Sequence, residues 1–401
     1  MAFQYNYGKR SSNSISNIEN LLKALDISLE QYSEALDIPK QNRYVKSSTP
    51  KSDGTERVVH NPHKHIRRIQ RRINKRIFNQ RHRKGGLISW PSYLYGSIPN
   101  NPQTSEDIEK KDYIACAQRH CESRSILKMD IQNFFDNIQE EHVYSVFKGL
   151  LHFPDVVSKA LTSICCHEGS VIQGALTSSY IASAVLYDIE PLVVKRLHDK
   201  KLRYTRLVDD ITISSEISNY DFAYAQKIVI DMLYKKGLPT NNSKTEILHS
   251  SSSELLVHGL RVNFKTPRLP AKEVGKIRAS VKHLETFAKD SVFRTSRDYR
   301  VLFNKSLGRV NRLKRLGHIQ HAPLLGRLLR IEPKPNKSDI GKAKRLVSKI
   351  IALNPKYGSG YRYRQLYYKA QSDLNVLQRT FKRTALKLRG RLREVKPSYE
   401  N

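Results

Sequence analysis

Two aspartates stand side by side in RLVDDITIS, residues 206 to 214, between runs of apolar and β-branched residues. The flanks RYTRL and ITIS alternate as strands do, which places Asp209 and Asp210 at the tip of a tight hairpin. Few features constrain a fold more, because adjacent negative charges must be tolerated where two strands close on each other. Asp is also an ordinary turn residue whose side chain bonds nearby amides. The hairpin alone therefore does not separate a plain turn from a site.

Charge narrows the choice. The 401 residues carry 71 Lys+Arg against 37 Asp+Glu, a formal net charge of +34. That excess goes beyond what solubility needs and points to a polyanionic partner, with nucleic acid ahead of a membrane surface. No apolar run approaches the roughly 18 residues of a membrane span, and the start MAFQYNYGKRSSNS lacks a signal peptide's apolar segment. A cytoplasmic protein with no membrane partner is expected. At 39% hydrophobic residues the chain can bury a large core and divide into subdomains. Cys116, Cys121, Cys165 and Cys166 are too few for a disulfide framework. With His120 and His167 nearby they still lack the spacing of a zinc knuckle, so they read as thiols and packing residues.

Along the chain, residues 15 to 36 show helical spacing interrupted near Asp26 to Ser28. A polar turn at Ser52 to Gly54 leads to a short strand around Arg57 to Val59. Beyond Pro62 a helix is expected with Ile66, Ile69, Ile73 and Ile77 on one face and a basic other face. That face, with Arg67, Arg68, Arg71 and Arg72, is either solvated surface or a phosphate-contacting RNA-binding face. Residues 84 to 112 hold most of the local Gly, Pro and Asn and read as a long surface excursion.

A third carboxylate, outside the hairpin, decides what the hairpin is for. SILKMDIQNFFDNI, residues 125 to 138, reads as a strand ending at Asp130. Asp130 with Asp209 and Asp210 would supply three carboxylates from two adjacent strands. That arrangement holds two Mg²⁺ ions roughly 3.5 to 4 Å apart for in-line phosphoryl transfer, one activating a hydroxyl and one stabilising the leaving pyrophosphate.

With these residues in view, the sequence resembles the bacterial reverse transcriptases of the retron and defence-associated (antiphage) type, over roughly residues 15 to 330. The blocks that carry the likeness are KSDGTERVVHNP with the helix HIRRIQRRI, DIQNFFDNI, VIQGALTSS, LVDDITIS, NNSKTEIL and VHGLRVN, in that order. The resemblance implies an α+β right-hand polymerase with fingers, palm and helical thumb, acting as an RNA-directed DNA polymerase. It implies catalytic and metal-binding roles for Asp130, Asp209 and Asp210, with the backbone carbonyl of Ile131 as a further metal ligand and Mn²⁺ as a possible substitute for the two Mg²⁺ ions. Phe135 would be the steric gate that selects deoxynucleotides, or else a core residue. Lys51 and Arg57 would neutralise the incoming triphosphate. Gln173 and Gly174 would border the nucleotide, glycine allowing close backbone approach. Lys244 would protonate the departing pyrophosphate or serve structurally. HGLRVN, residues 258 to 263, would grip the primer.

Three departures from the family pattern stand out. Leu207 stands where an aromatic is usual, Ser179 where a proline commonly follows the Gln-Gly turn, and the segment from Gly96 to Asp130 is longer and more acidic. None removes a catalytic group.

Past residue 270 the chain holds about 33 Lys+Arg against about 9 Asp+Glu, roughly two thirds of its net charge. VGKIRASVKHLETF and YRVLFNKSLGRVNRLKRLG keep helical spacing suited to a thumb. In YGSGYRYRQLYYKA tyrosines interleave with arginines, which suits either stacking on unpaired RNA bases by Tyr361, Tyr363 and Arg364 or an aromatic face packed on the thumb. The expected organisation is a helical lead-in over 1–45, fingers and palm over 46–265, a thumb over 266–332 and a basic RNA-binding extension over 333–401. The expected partners are an RNA template in the form of a structured non-coding RNA, a DNA product, dNTPs and a second protein encoded nearby. The competing readings are a catalytically weak RNA-binding palm protein and an untemplated or RNA-synthesising nucleotidyltransferase.

Overall fold

Capping chemistry explains the first break in the chain. Helix α1 (Ile18–Leu25) ends where Asp26 turns left-handed at φ 56°, and α2 (Leu29–Leu36) starts at Ser28, whose capping box is completed by Gln31. The computed structural model describes residues 3–10, 15–50, 54, 56–79, 86–102, 108–358 and 360–398. These belong to two units, Met1–Arg268 and Leu269–Asn401. Lys51 lies outside the described residues.

After α2 the chain forms a largely exposed hairpin of β1 (Tyr44–Pro50) and β2 (Glu56–Pro62), paired from Tyr44↔Pro62 to Pro50↔Glu56. Helix α3 (Lys64–Ile73) buries Ile66, Ile69 and Ile73, and the wider turn that continues it buries Ile77 and Phe78. The isoleucine stripe expected from spacing is therefore the packed face. Gln70, fully buried on the same helix, donates to the Tyr44 hydroxyl at 2.8 Å and accepts from Leu176 N–H at 3.1 Å.

Residues 84–112 depart from expectation. Trp90, Tyr93, Leu94 and Tyr95 are 1% exposed or less, and β3 (Leu94–Tyr95) joins the central sheet. Gly and Pro interrupt regular structure there, but the aromatic side chains carry a large apolar area that the fold buries all the same. Lys111, 1% exposed, bonds the backbone carbonyl of Pro91 at 3.2 Å and pairs with Glu109 at 3.0 Å.

The sheet continues with β4 (Ser125–Asp130), after which come helices α4 (Asp155–Cys165), α5 (Ser178–Ala184) and α6 (Glu190–Asp199). Strands β5 (Arg203–Leu207) and β6 (Asp210–Ser215) form the hairpin, followed by α7 (Ala223–Tyr234) and β7 (Glu246–His249). The strand order is β7-β4-β6-β5-β3, antiparallel except for β3 beside β5. Leu127, Met129, Ile211 and Ile213 of the sheet share one core with Val194 and Leu197 of α6 and Val229 and Leu233 of α7. A small hairpin, β8 (Leu256–Val257) and β9 (Leu260–Arg261), turns through His258 and Gly259, both at positive φ as a type I′ turn requires.

In the second unit, α8 (Ala271–Phe287), α9 (Arg297–Arg315) and α10 (His321–Arg330) pack on one another. Helices α11 (Lys337–Tyr357), α12 (Tyr361–Leu377) and α13 (Lys382–Arg393) form a second bundle with its own core, including Val347, Ile350, Leu374 and Leu388. Arginines fasten the joint between the bundles: Arg294 donates to the Arg330 and Glu332 carbonyls, Arg379 to the Pro333 carbonyl, and Arg300 pairs with Asp339. Among the described residues no helix is long and apolar enough to cross a membrane.

Candidate active site

The hairpin register brings the expected carboxylates together. Asp210, first residue of β6, lies directly opposite Asp130 on β4, while Asp209 is the second residue of the two-residue turn closed by the Leu207↔Asp210 pair. Like charges directly opposite on neighbouring strands destabilise a sheet. Burial in the cleft, followed by the charges of Asp209 and Asp130, pushes the Asp210 carboxyl up to about 6. Asp209 is also raised, by burial first and by Asp130, with its own backbone N–H, Lys244 and Arg57 pulling the other way. Arg57 is thus within electrostatic reach of the site.

Asp130 is 8% exposed and already partnered. Lys244 Nζ donates to its Oδ2 at 3.0 Å and Asn241 Nδ2 at 3.3 Å, while Asn241 N–H holds the Asp130 carbonyl at 2.8 Å. The bond to Asp130 raises the Lys244 pKa and keeps this largely exposed ammonium protonated. Ile131, buried, donates its N–H to the Asp209 carbonyl at 3.2 Å. Among the described residues no three His, Cys, Asp or Glu side chains stand close enough to ligate a metal together. The oxygen-only donors suit a hard divalent cation. The raised carboxyls of Asp209 and Asp210, beside a third carboxylate, are a charge problem that such a cation would relieve.

The turn itself is strained. Val208 has φ 61°, a region where a β-branched residue is an outlier, at a cost on the order of 1–3 kcal/mol. Positive φ at the first turn position alone is the type II′ pattern, where glycine is usual. Strain held beside two catalytic candidates requires surroundings that over-determine it.

The remaining expected residues fall into three groups. Arg57 is exposed on β2, and the neighbouring His60 N–H donates to the Gln173 carbonyl at 2.8 Å. Gly174 has φ 109°, and a Cβ there would stand 2.5 Å from the His60 carbonyl oxygen. Its close backbone approach is therefore to β2. In the Phe pair, Phe134 takes the buried position and Phe135 stays half-buried at the core's edge. Arg67, Arg68 and Arg71 lie half-buried on α3.

Two expectations are corrected. Arg72 is only 8% exposed and pairs with Asp26 at 3.1 Å, because helical spacing turns it toward α1 rather than outward. Tyr363 is 1% exposed in the core of the second bundle, its hydroxyl bonded to the Val395 carbonyl, so its ring cannot stack on a base. Tyr361 begins α12 and Arg364 is half-buried one turn on.

Sequence reading gave no individual role to four contributors, His258 having entered only as part of the segment expected to grip the primer. Asn241 lies in the quoted NNSKTEIL block but drew no role there. His258, at the tip of the β8–β9 turn, stands 3.8 Å from Asp210 and 3.3 Å from the Cys116 sulfur; burial and nearby Lys128 push its pKa down to about 4, so it faces Asp210 as a neutral ring. Arg206 and Glu190 form a fully buried pair behind the hairpin. Neither carries a motif that would have marked it. Cys116 itself is a buried thiol donating to Thr205 Oγ1 at 3.2 Å.

A central, mostly antiparallel sheet that presents paired carboxylates at a strained hairpin tip, with the two-stranded β1–β2 hairpin carrying Arg57, defines an α+β right-hand polymerase. Residues 49–296 match the family described as reverse transcriptase (RNA-dependent DNA polymerase), and the chain belongs to that family. It is 41% identical over 395 residues to the retron Ec48 reverse transcriptase of Escherichia coli, covering 97% of this chain and 94% of that one. It is 34% identical over 295 residues to the retron Se72 reverse transcriptase of Salmonella heidelberg (strain 579083-10), covering 72% of each. The expected retron-type likeness and RNA-directed DNA polymerase activity are thereby borne out. Among solved structures, a telomerase from Candida tropicalis aligns with a TM-score of 0.41 at 13% identity, over 92% of this chain and 68% of that one.

Proposed function

We propose that this chain copies a dedicated, structured non-coding RNA into DNA as part of a bacterial antiphage system that includes a second protein encoded nearby, and that Asp130, Asp209 and Asp210 are its catalytic carboxylates. The carrying observation is the register that sets Asp210 opposite Asp130 with Asp209 in the intervening turn. Similarity to retron reverse transcriptases along nearly the whole chain supports the choice of template class.

The three carboxylates, with the Ile131 carbonyl, would hold Mg²⁺ or Mn²⁺. When bound, such ions neutralise phosphate charge and favour in-line attack by a hydroxyl. The residues of the chain do the rest. Arg57 meets the triphosphate with a bidentate fork, joined from sequence alone by Lys51. Phe135 lies under the sugar and excludes a 2′-hydroxyl. Lys244 carries a proton at neutral pH and gives it to departing pyrophosphate. Gln173 and Gly174 border the nucleotide, and the His258–Asn263 segment grips the primer. Arg67, Arg68 and Arg71 contact template phosphates.

The first bundle of the second unit serves as thumb. In the second bundle Tyr363 and Tyr367 are buried in the core while Tyr357 and Tyr368 stay exposed, and exposed cations contact RNA, among them Lys344, Arg345 and Lys349 on α11 and Lys387, Arg391 and Arg393 on α13. The test has two parts. Primer extension on an RNA template should consume dNTPs in the wild type and stop in Asp209→Asn. RNA retained through a wash near about 0.5 M salt should be one enriched species, whereas a random mixture would refute a dedicated template.

A further inference from the structure

The strained turn is held from behind. Arg206 is fully buried, and all three of its guanidinium nitrogens are engaged. Nε and Nη2 bond the two Glu190 carboxylate oxygens at 2.6 and 2.8 Å, Nη2 also donates to the Ser183 carbonyl at 3.0 Å, and Nη1 donates to the carbonyls of Ala182 at 3.2 Å and Val208 at 3.1 Å. Tyr204 and Tyr7 hydroxyls complete the Glu190 shell at 2.8 and 3.2 Å. Tyr7 comes from the N-terminal segment, almost 200 residues away in sequence, and also donates to the Ser183 carbonyl at 2.7 Å.

We infer that Arg206, set by Glu190, is the positioning residue that fixes Asp209 for catalysis by clamping the Val208 carbonyl. This rests on the catalytic role assigned to Asp209. The peptide planes on both sides of Asp209 are tied: the preceding carbonyl, of Val208, to Arg206, and its own carbonyl to the Ile131 N–H of β4. Without the first tie a β-branched residue at φ 61° is free to relax, and its relaxation would swing the following carboxylate. Stability alone does not account for the pair, because a buried ion pair is commonly replaceable by apolar residues without loss. Bonding three backbone carbonyls of two elements, α5 and the turn, is what an arginine fork does and a lysine point charge cannot.

The test compares Arg206→Lys, Arg206→Met with Glu190→Met, and each with Val208→Gly added. Readouts are kcat and dNTP KM in RNA-templated primer extension, RNA affinity, melting temperature and amide exchange at Ile131 and residues 207–211. Arg206→Lys should lower kcat by about tenfold or more, as misplacement of a catalytic group does, while KM and RNA affinity move less than about threefold. Exchange at Ile131 should quicken, the divalent-ion concentration for half-maximal rate should rise, and Val208→Gly should recover about half or more of the lost rate by making the turn conformation unstrained. A folded Arg206→Lys with wild-type kcat and wild-type exchange overturns the inference, as does a rate loss that Val208→Gly leaves untouched. If the lysine variant does not fold, the charge-neutral double methionine variant is read by the same outcomes. Failure of Asp209→Asn to stop synthesis would instead indict the catalytic role, while the exchange readout would still report on the clamp.

Discussion

The palm hairpin and the C-terminal bundle treat their most conspicuous side chains in opposite ways. In the hairpin, β pairing sets Asp210 against Asp130, and the chain tolerates both like-charge repulsion and a β-branched residue at positive φ. In the bundle, helical spacing folds Tyr363 and Tyr367 inward with leucines and alanines, and the cations are left outside. The first region gives up stability to hold negative charges together. The second uses two of its tyrosines for stability and keeps its cations, with Tyr357 and Tyr368, on the surface.

That contrast can be broken at several points. The largest effect is expected for Asp209→Asn, which should reduce RNA-templated DNA synthesis by about a thousandfold or more while RNA affinity, measured by filter binding, changes only a few-fold. Retained synthesis would make the opposed carboxylates structural. Next, Tyr363→Ala should destabilise the second bundle by about 3 kcal/mol or more, read by denaturant unfolding; a marginal loss would return this tyrosine to the surface role first expected of it. Charge reversal at Lys387, Arg391 and Arg393 should weaken RNA binding without lowering the melting temperature, and should flatten the salt dependence by about one unit of slope for each phosphate no longer neutralised. A smaller effect is expected for Phe135→Val, which should raise ribonucleotide relative to deoxynucleotide incorporation in competition assays; an unchanged ratio would assign the ring to the core alone. Finally, at fixed divalent-ion concentration, synthesis should fall as pH is lowered through about 6, where Asp210 takes up its proton, and added ion should shift that midpoint downward.

How much of this was legible depended on whether a residue's partner lay in its own element. Asp130, Asp209 and Asp210 could be read because strand alternation and a two-residue turn fix their relation once the strands are recognised. The isoleucine stripe of α3 was equally plain, yet the same helix hid Arg72, whose inward direction depends on Asp26 just past the end of α1. Tyr363 was ambiguous for a physical reason: stacking on bases and packing in a core ask for the same aromatic residue, and only the tertiary arrangement of three helices decides between them. The Gly- and Pro-rich segment around Trp90 was misread as surface because turn residues report backbone geometry, not burial. Arg206 and Glu190 left no trace, since a charge within a strand and a charge at a helix start both look solvated until the two elements meet.

The claim that the hairpin's carboxylates are arranged for a cation, at the expense of the fold, is tested most directly by melting Asp210→Asn beside the wild type, with a chelator and with Mn²⁺. Asp210 has a folded-state pKa of about 6, above its ordinary value of 3.8, so the folded protein holds the proton more tightly. The associated stability is present at low pH and lost as pH rises through about 6. At pH 7 the ionised carboxylate therefore burdens the fold, by about 1 kcal/mol or less because half of the side chain is open to solvent. Expected at pH 7 with chelator is a variant that melts at or above the wild-type temperature, and with Mn²⁺ a rise in melting temperature that is larger for the wild type. A variant that melts lower in chelator, or an equal rise in both proteins, would contradict it.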